Sequence, residues 1–410
     1  MTRTDVLVIG AGQAGLAMSR ALAESGVDHA LLERGRVAER WRSERRRSLT
    51  LLTPNWMNRL PGDSRPLDDP DGYMTAPDLV ARLDAYAART AAPIVGGAAV
   101  TALEAEPGAG YVARTEAGDW RARAVVIATG ACDAPFVPAC AARLPADVAQ
   151  IPAQAYRSPA DVTDGGVLVV GASSSGLQIA DELARAGRDV TLCVGGHTRV
   201  PRSYRGRDVF WWLDRAGILD EPAEGRADIA RLRRQPSLQL VGRPGRFDLG
   251  TAQANGVRLV GRLLDADGAR IALARDLPAR MADADRRLAR LLSRFDAAAP
   301  ALGVDAPAES IGPLVAPETP EALDLRAAGI RTVVWAVGYR RSYPWLRVPV
   351  LDAEGEIAHA GGITAAPGLV VLGLRFLRAR RSNFIDGCGR DAAALLPHLL
   401  AHLGATRAAA

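Results

Sequence analysis

Two stretches of the chain are almost alike: VLVIGAGQAGLAMSRAL at residues 6–22 and VLVVGASSSGLQIADEL at residues 167–183. Each begins with aliphatic, β-branched residues, passes through a glycine-rich turn and ends in a segment with helical periodicity. A strand, a tight turn and a helix in this order form the first part of a βαβ dinucleotide-binding unit. The repetition predicts an α/β fold with two Rossmann-like dinucleotide-binding domains, the second inserted in the first.

The first copy carries glycines at positions 10, 12 and 15. Gly10 permits the tight turn, Gly12 lets backbone approach a diphosphate, and Gly15 lets the helix pack on the strand. The free N–H groups and positive dipole of the helix start favour a diphosphate. The next strand ends in Glu33, a carboxylate that suits a ribose hydroxyl and repels a 2′-phosphate. This copy therefore predicts FAD or NAD, and a βαβ turn without ligand is the alternative.

The second copy keeps Gly171 and Gly176 and has Ser173 in the middle, a residue small enough for close backbone approach. After its second strand no carboxylate follows, but Arg199 and Arg202 do. Guanidinium groups are suitable partners for a 2′-phosphate. This copy predicts NADPH, with arginines that merely face solvent as the alternative.

The length predicts more than one domain, because 410 residues are more than one hydrophobic core usually supports.

The composition excludes several classes of partner. The net charge is +5, but all basic residues are arginine and no nucleic-acid-binding module is recognisable, so we expect no nucleic-acid partner. No apolar run is long enough to span a membrane, and the first strand begins too early for a leader peptide. We expect a cytoplasmic protein with no membrane partner, and a homodimer is left open.

Cysteines and histidines give little support for other chemistry. None of the four cysteines is in C-x-x-C or C-x-x-x-x-C spacing, which argues against a disulfide reductase. His398 and His402 have i, i+4 spacing, but a glutamate base and a third ligand are missing, so no metal site is predicted.

Further segments carry a family resemblance. They are ERGRVAERWRS (33–43), SLTLLTPNWMNRLPG (48–62), ARAVVIATG (122–130), IRTVVWAVGYR (330–340) and GLVVLGLRFLRARRSNFIDGCG (368–389). With the two glycine signatures, they make the chain resemble the flavin-containing-monooxygenase-like, two-Rossmann flavoproteins, which are related to class B monooxygenases and plant YUCCA-type enzymes. The resemblance covers nearly the full length.

The resemblance implies FAD in the first site and NADPH in the second. It places an FAD domain at residues 1–135 and 325–410, an NADPH domain at 160–325 and a linker at 136–159. The implied FAD-site residues are Gly10, Gly12, Gln13, Ala14, Gly15, Glu33, Arg34, Trp41, Thr53, Val100, Thr129, Gly130 and Gly338. The implied NADPH-site residues are Gly171, Ser173, Ser174, Ser175, Gly176, Arg199 and Arg202.

The activity implied by the resemblance is monooxygenation. NADPH reduces FAD, reduced FAD takes up O2 as a C4a-(hydro)peroxyflavin, and one oxygen atom passes to a small organic substrate, with N- or S-oxygenation favoured. Such a scheme needs no protein nucleophile, and no catalytic acid or base is identified.

One departure from the family bears on this activity. The family motif F-x-G-x-x-x-H-x-x-x-[W/Y/F], aligned on Tyr156, here has Ala146, Val148 and Pro152 at its other positions. Pro152 replaces a histidine and offers no donor or acceptor side chain. The alternatives are therefore an FAD- and NADPH-dependent reductase or oxidase that inserts no oxygen, and a non-catalytic regulatory flavoprotein.

Overall fold

A computed structural model describes residues 1–108 and 110–408, with side-chain detail up to residue 405. The described residues form nine α-helices, labelled in chain order: α1 Gln13–Glu24, α2 Glu39–Ser43, α3 Ala76–Arg89, α4 Ser174–Arg185, α5 Val209–Arg215, α6 Ile229–Arg233, α7 Leu249–Ala254, α8 Leu277–Ala298 and α9 Ile385–Ala408. Short 3₁₀ turns lie at Asn55–Met57, Ala139–Arg143, Pro159–Asp161, Pro300–Leu302 and Arg380–Asn383.

The strands are numbered in the same way. They are β1 Thr2–Ile9, β2 His29–Leu32, β3 Ile94–Val95, β4 Val100–Glu106, β5 Gly110–Thr115, β6 Trp120–Ile127, β7 Ala134–Pro135, β8 Ala149–Pro152, β9 Gly166–Val170, β10 Val190–Cys193, β11 Thr198–Arg199, β12 Ser203–Tyr204, β13 Arg207–Asp208, β14 Leu238–Gln239, β15 Arg258–Val260, β16 Leu263–Asp267, β17 Arg270–Leu273, β18 Ala322–Asp324, β19 Ile330–Trp335, β20 Tyr339–Arg340 and β21 Leu369–Val371.

The first sheet has the order β3-β2-β1-β6-β5-β4. Its strands β3, β2, β1 and β6 run parallel, whereas β5 and β4 form an antiparallel extension. The C-terminal part of β6 also pairs with β21, so the last part of the chain returns to the first sheet. Helix α9 then packs against α1, and the buried aliphatic residues of these elements form the largest core cluster.

The second sheet has the order β15-β10-β9-β19-β8, and all four of its pairings are parallel. Numbered in chain order, the five strands read 4-3-2-5-1, because the edge strand β8 precedes the others in the chain. Without β8 the order is 3-2-1-4, which is the doubly wound arrangement of dinucleotide-binding folds. The α/β fold with two Rossmann-like units, predicted from the repeated glycine signature, is therefore confirmed.

The predicted domain boundaries need correction. The segment 136–159, predicted as a linker, contains β8, which is an edge strand of the second sheet. Strand β19, predicted in the FAD domain, pairs with β9 and so also belongs to the second sheet. Both strands hydrogen-bond in this ladder, so the second sheet takes strands from residue 149 to residue 335. The last two residues of the predicted range 325–410 lie outside the described residues.

The chain crosses between the two units on two neighbouring segments. Strand β7 on the outward crossing and β20 on the return crossing pair antiparallel, with Tyr339 opposite Pro135. Within the part of the chain that the structure describes, no helix combines the length and apolar character needed to cross a bilayer.

Candidate cofactor cleft

A cleft of about 2260 Å³ is lined by both glycine-rich turns. Sixteen residues predicted to bind cofactor line it: Gly10, Gly12, Gln13, Ala14, Glu33, Arg34, Trp41, Thr53, Val100, Thr129, Gly130, Gly171, Ser173, Ser174, Ser175 and Gly338. The fold therefore brings residues from opposite ends of the sequence to one cavity, although each group was inferred separately.

The first turn has the shape that a dinucleotide requires. Helix α1 begins at Gln13 with Gly12 as N-cap, and no side chain caps its free N–H groups. A Cβ built on Gly12 would meet no described heavy atom within 4 Å, so the space in front of this turn is open. The end of α1 thus offers unpaired donors and a positive dipole to an anion in the cleft.

Glu33 is fixed at the end of β2. Its two carboxylate oxygens accept hydrogen bonds from the backbone N–H groups of Ala11 at 2.8 Å and Gly35 at 3.0 Å. The residue is only 8% exposed, yet it lines the cleft. A carboxylate held in this way can still accept from a ribose hydroxyl, so the first turn fits the adenosine half of FAD.

The second turn repeats the arrangement. Helix α4 begins at Ser174, and the hydroxyl of its N-cap residue Ser173 donates to the Ser237 carbonyl oxygen at 3.1 Å instead of capping the helix. The free N–H groups of α4 therefore also face the cleft, and this turn fits the diphosphate of a second dinucleotide.

Gly15 and Gly176 do not line the cleft. A Cβ on Gly15 would lie 1.9 Å from the Gly10 carbonyl oxygen, and one on Gly176 would lie 1.8 Å from that of Gly171. Real Cβ atoms do not approach so closely, so only glycine lets each helix lie against its strand. Their contribution is packing, as the fingerprint predicts.

Side chains around the first turn are positioned by local hydrogen bonds. The Trp41 indole N–H donates to the Gln13 amide oxygen at 3.4 Å, and Arg45 lies over the Trp41 ring at 5.0 Å. The Thr53 hydroxyl donates to Asn58 at 2.7 Å. Arg34 forms a half-exposed ion pair with a neighbouring glutamate. These contacts hold the side chains at the cleft wall.

Arg199 and Arg202 are not where the prediction requires them. Arg199 is 3% exposed and pairs with Asp248 at 3.2 Å and Asp285 at 2.5 Å. Arg202 is 4% exposed, pairs with Asp208 at 2.9 Å and donates to the Leu52 carbonyl oxygen. Neither side chain lines the cleft. Their charges are already paired with carboxylates, so the predicted contact with a 2′-phosphate is not supported by the structure.

The sequence did not predict several arginines that line the cleft. They are Arg40, Arg45, Arg46, Arg233, Arg234, Arg262, Arg287, Arg294, Arg340, Arg341, Arg375 and Arg380. All 51 basic residues are arginine and they are spread along the chain, so no local pattern marks those that face the cavity. Some of them, such as Arg40, Arg340 and Arg375, lie in the segments that carry the family resemblance. Arg262 follows β15, which pairs with β10.

The thiols do not form a redox pair. All four cysteines are free, and only Cys132 is partly exposed. Burial raises the pKa of the Cys193 thiol to about 12 and also raises the pKa of Cys388. Protonated, buried thiols are poor nucleophiles. The described residues also contain no group of three or more His, Cys, Asp or Glu side chains that could hold a metal ion.

Comparison with known proteins agrees with this geometry. Residues 7–208 match the family described as pyridine nucleotide-disulphide oxidoreductase. The chain is 30% identical over 401 residues to "Uncharacterized oxidoreductase CzcO-like" of Geobacillus kaustophilus, covering 97% of this chain and 99% of that protein. It is 32% identical over 212 residues to "Indole-3-pyruvate monooxygenase YUCCA1" of Oryza sativa subsp. japonica, about half of each chain.

A solved structure has the same fold over almost the whole chain. It is the flavin-containing monooxygenase from Stenotrophomonas maltophilia, with a TM-score of 0.68 and 19% identity, covering 98% of this chain and 99% of that one. The fold and the cleft define a flavoprotein oxidoreductase with two dinucleotide-binding domains, whose cofactors are FAD and NAD(P)H. Within that class, the chain belongs to the flavin-containing-monooxygenase-like family, together with the CzcO-like oxidoreductase.

Proposed function

We propose that this enzyme is an NADPH-dependent monooxygenase that transfers one oxygen atom of O2 to a small organic molecule, at an amine nitrogen or a sulfide sulfur. The observation that carries the proposal is that both glycine turns open on the same cleft. FAD, when bound, supplies the redox chemistry by accepting a hydride and activating O2. The protein's part is to hold two nucleotides in one cavity and to keep water away from the reacting atoms.

The cleft wall supports the second of these tasks. Leu51, Leu52, Phe210, Leu213 and Phe384 supply apolar surface to the cavity. Oxygen transfer to a soft nucleophile such as a sulfide needs orientation and a dry site rather than a protein nucleophile. This requirement is consistent with the absence of a paired thiol among the described cysteines.

The preference for NADPH is proposed to rest on Arg262 instead of Arg199 and Arg202. Arg262 follows β15, which is parallel to β10, so its backbone lies at the edge where the ribose-binding strand ends. Its side chain lies 3.8 Å from the position of a Cβ on Gly195, just after β10. Its nearest carboxylate, on Asp276, is 3.9 Å away, and the side chain is 47% exposed. The guanidinium is therefore accessible to a 2′-phosphate.

Anaerobic flavin reduction by NADPH and by NADH tests this assignment. We expect the wild type to prefer NADPH, and Arg262→Ala to raise the Kd for NADPH by about tenfold while leaving NADH nearly unchanged, since one charge-assisted contact contributes about 1.5–3 kcal/mol. Arg258→Ala is the matched control, because Arg258 is exposed at the opposite end of β15 and does not line the cleft. Equal use of both nucleotides by the wild type would contradict the proposal.

Oxygen insertion is tested by measuring how much of the NADPH consumed leads to oxygenated product instead of hydrogen peroxide. The wild type is mixed with NADPH, O2 and a panel of amines and sulfides, and NADPH consumption is compared with hydrogen peroxide release. A substrate that replaces peroxide by an N-oxide or sulfoxide supports monooxygenation. Stoichiometric peroxide with every compound of the panel would contradict it.

A second candidate is an FAD- and NADPH-dependent oxidase or reductase without oxygen insertion. Pro152 favours this candidate. It ends β8 opposite Trp335 of β19 and does not line the cleft. At this position the family's histidine is replaced by a side chain without hydrogen-bonding capacity. The neighbouring Gln154 does line the cleft and carries an amide. The same coupling experiment separates the two candidates.

A further inference from the structure

Three arginines without a full set of counter-charges face one part of the cleft. Arg233 ends α6, Arg341 follows β20, and Arg375 lies shortly after β21. All three line the cavity. Arg341 pairs with Glu356, whereas Arg233 and Arg375 form no ion pair with any described carboxylate. The cluster of three arginines and one glutamate, called the arginine cluster below, therefore carries a net charge of about +2 at neutral pH.

The arginines of this cluster lie near one another, since Nη2 of Arg233 donates to the carbonyl oxygen of Phe376, the residue after Arg375, at 3.3 Å. Burial and the charge of Arg341 lower the pKa of both Arg233 and Arg375. His359 belongs to the same group. Burial and the nearby Arg233 and Arg341 lower its pKa to about 4, so it adds no positive charge at neutral pH. Like charges brought together in a partly buried place are unfavourable unless an anion joins them.

Two donors in this part of the cleft also lack partners. The Tyr343 hydroxyl group is on a side chain that is 7% exposed, lines the cleft and makes no hydrogen bond within the described residues. The Nε–H of Arg233 is likewise buried and unpaired in the described part of the chain. Buried donors without acceptors are unfavourable. A hydroxyl, guanidinium groups and unmatched positive charge are together the features of a site for an oxyanion.

The diphosphates of the two nucleotides have other places to bind. The open ends of α1 and α4 already offer unpaired backbone N–H groups to them. Apolar surface in the cleft comes from Phe136, whose ring lies under Arg340, the residue before Arg341, at 4.3 Å. Trp345 also lines the cleft, and its ring lies 6.2 Å from that of Tyr343. An organic anion with an apolar body would satisfy both parts of this surface.

We propose that Arg233, Arg341 and Arg375, with the Tyr343 hydroxyl, bind the carboxylate of the substrate, which is therefore an amphipathic organic acid. The acid is called the substrate because of the proposed monooxygenase function. Its binding at this site does not depend on turnover. The carboxylate accepts hydrogen bonds from the guanidinium groups and from Tyr343, and the apolar part of the acid lies against the aromatic wall.

Equilibrium binding to the FAD-loaded enzyme tests the proposal without catalysis. The probes are phenylacetate and phenylacetamide, which have the same shape and differ in charge, and binding is followed by the change in flavin absorbance or tryptophan fluorescence. We expect the Kd of phenylacetate to be at least tenfold lower than that of the amide in the wild type. Arg375→Gln and, independently, Arg233→Gln should bring the two Kd values within about threefold of each other.

Arg286→Gln is the matched control for loss of one positive charge. Arg286 is exposed on α8 and does not line the cleft, so this variant should keep the wild-type discrimination. FAD content and the Kd of NADP⁺ are measured on every variant. Two results would overturn the proposal: equal binding of acid and amide by the wild type, or loss of FAD or NADP⁺ affinity in Arg375→Gln and Arg233→Gln with acid discrimination retained. The second result would identify a nucleotide phosphate as the anion.

Oxygen insertion and anion binding are measured independently. Oxygen insertion is read from product and peroxide, whereas the anion site is read from Kd values in the absence of NADPH. An enzyme that discriminates acid from amide but only makes peroxide keeps the anion site and loses the monooxygenase assignment.

Discussion

Arg381 and Asp214 join the two units of the fold through an ion pair of 2.6 Å. Arg381 lies in the segment that returns to the first sheet and is 2% exposed, whereas Asp214 lies in α5. The same guanidinium also contacts Asp220 at 2.6 Å and Asp386 at 2.7 Å. One buried guanidinium therefore contacts three carboxylates where the C-terminal segment meets the inserted unit.

Replacing this cation should destabilise the protein strongly. Arg381→Met removes the buried guanidinium that pairs with Asp214 and Asp386, whose side chains are only 20% and 21% exposed, and breaking a buried pair costs about 3–5 kcal/mol. We expect a Tm several degrees lower in a calorimetric or circular dichroism melt. Arg390→Gln is the control, because Arg390 also pairs with Asp220 but is 59% exposed, and exposed pairs contribute about 0–1 kcal/mol. Similar melts for the two variants would contradict the structural role of Arg381.

Arg199→Ala should affect stability rather than nucleotide choice. The substitution would leave Asp248 and Asp285 without their buried partner, so thermal stability should fall by an amount comparable to that of the Arg381 variant. The ratio of NADPH to NADH efficiency in flavin reduction should stay at the wild-type value. A selective loss of NADPH use in a variant that melts normally would restore the role that the sequence suggested for this arginine.

Gly12→Val should remove FAD without unfolding the chain. The backbone of Gly12 is extended, with φ of −83°, and a Cβ there meets no described heavy atom within 4 Å. A branched side chain at this position would instead occupy the space that the diphosphate needs. Purified Gly12→Val protein should be colourless, with a far-ultraviolet circular dichroism spectrum like that of the wild-type apoprotein.

Gly15→Val provides the comparison. Its Cβ would lie 1.9 Å from the Gly10 carbonyl oxygen, so the helix would have to move from the strand and folding itself should fail. A Gly12→Val protein with full flavin occupancy would show that the first turn is not the FAD site.

The lowered pKa of His359 predicts that the stability of the fold decreases as the pH falls below 6.5. Its pKa in the folded protein is about 4, below the ordinary value of 6.5, because of burial and the charges of Arg233 and Arg341. As pH falls from 6.5 towards 4, the unfolded chain takes up a proton that the folded protein does not, so stability falls over this range. His359→Gln lacks this contribution. Its Tm should therefore decrease less than that of the wild type between pH 7 and pH 4.5, and parallel curves would contradict the assignment.

The sequence determined the architecture because the fold depends on local features. The repeated strand, glycine turn and helix specify each Rossmann-like unit, and both Gly10 and Gly171 have the positive φ that such turns need. The sequence also specified residues of the turns that line the cleft, such as Gly12 and Ser173, because their role follows from their place at a helix start.

The domain boundaries and the charged side chains could not be predicted in the same way. Strand β8 is a four-residue edge strand ending in proline, and such a segment reads as a loop until its partner β19 is known. The direction of an arginine depends on the carboxylates that tertiary packing brings to it. Asp285 lies 86 residues after Arg199 in the chain, and no local pattern connects them.

Isotope labelling of the product distinguishes oxygen insertion from the release of peroxide. The FAD-loaded enzyme is supplied with NADPH, ¹⁸O2 and a sulfide-bearing organic acid, and the product is examined by mass spectrometry. We expect a sulfoxide that carries one ¹⁸O atom, formed in proportion to the NADPH consumed beyond peroxide release. A product without ¹⁸O, or unchanged sulfide with all ¹⁸O recovered as peroxide and water, would contradict the assignment of this protein as a monooxygenase.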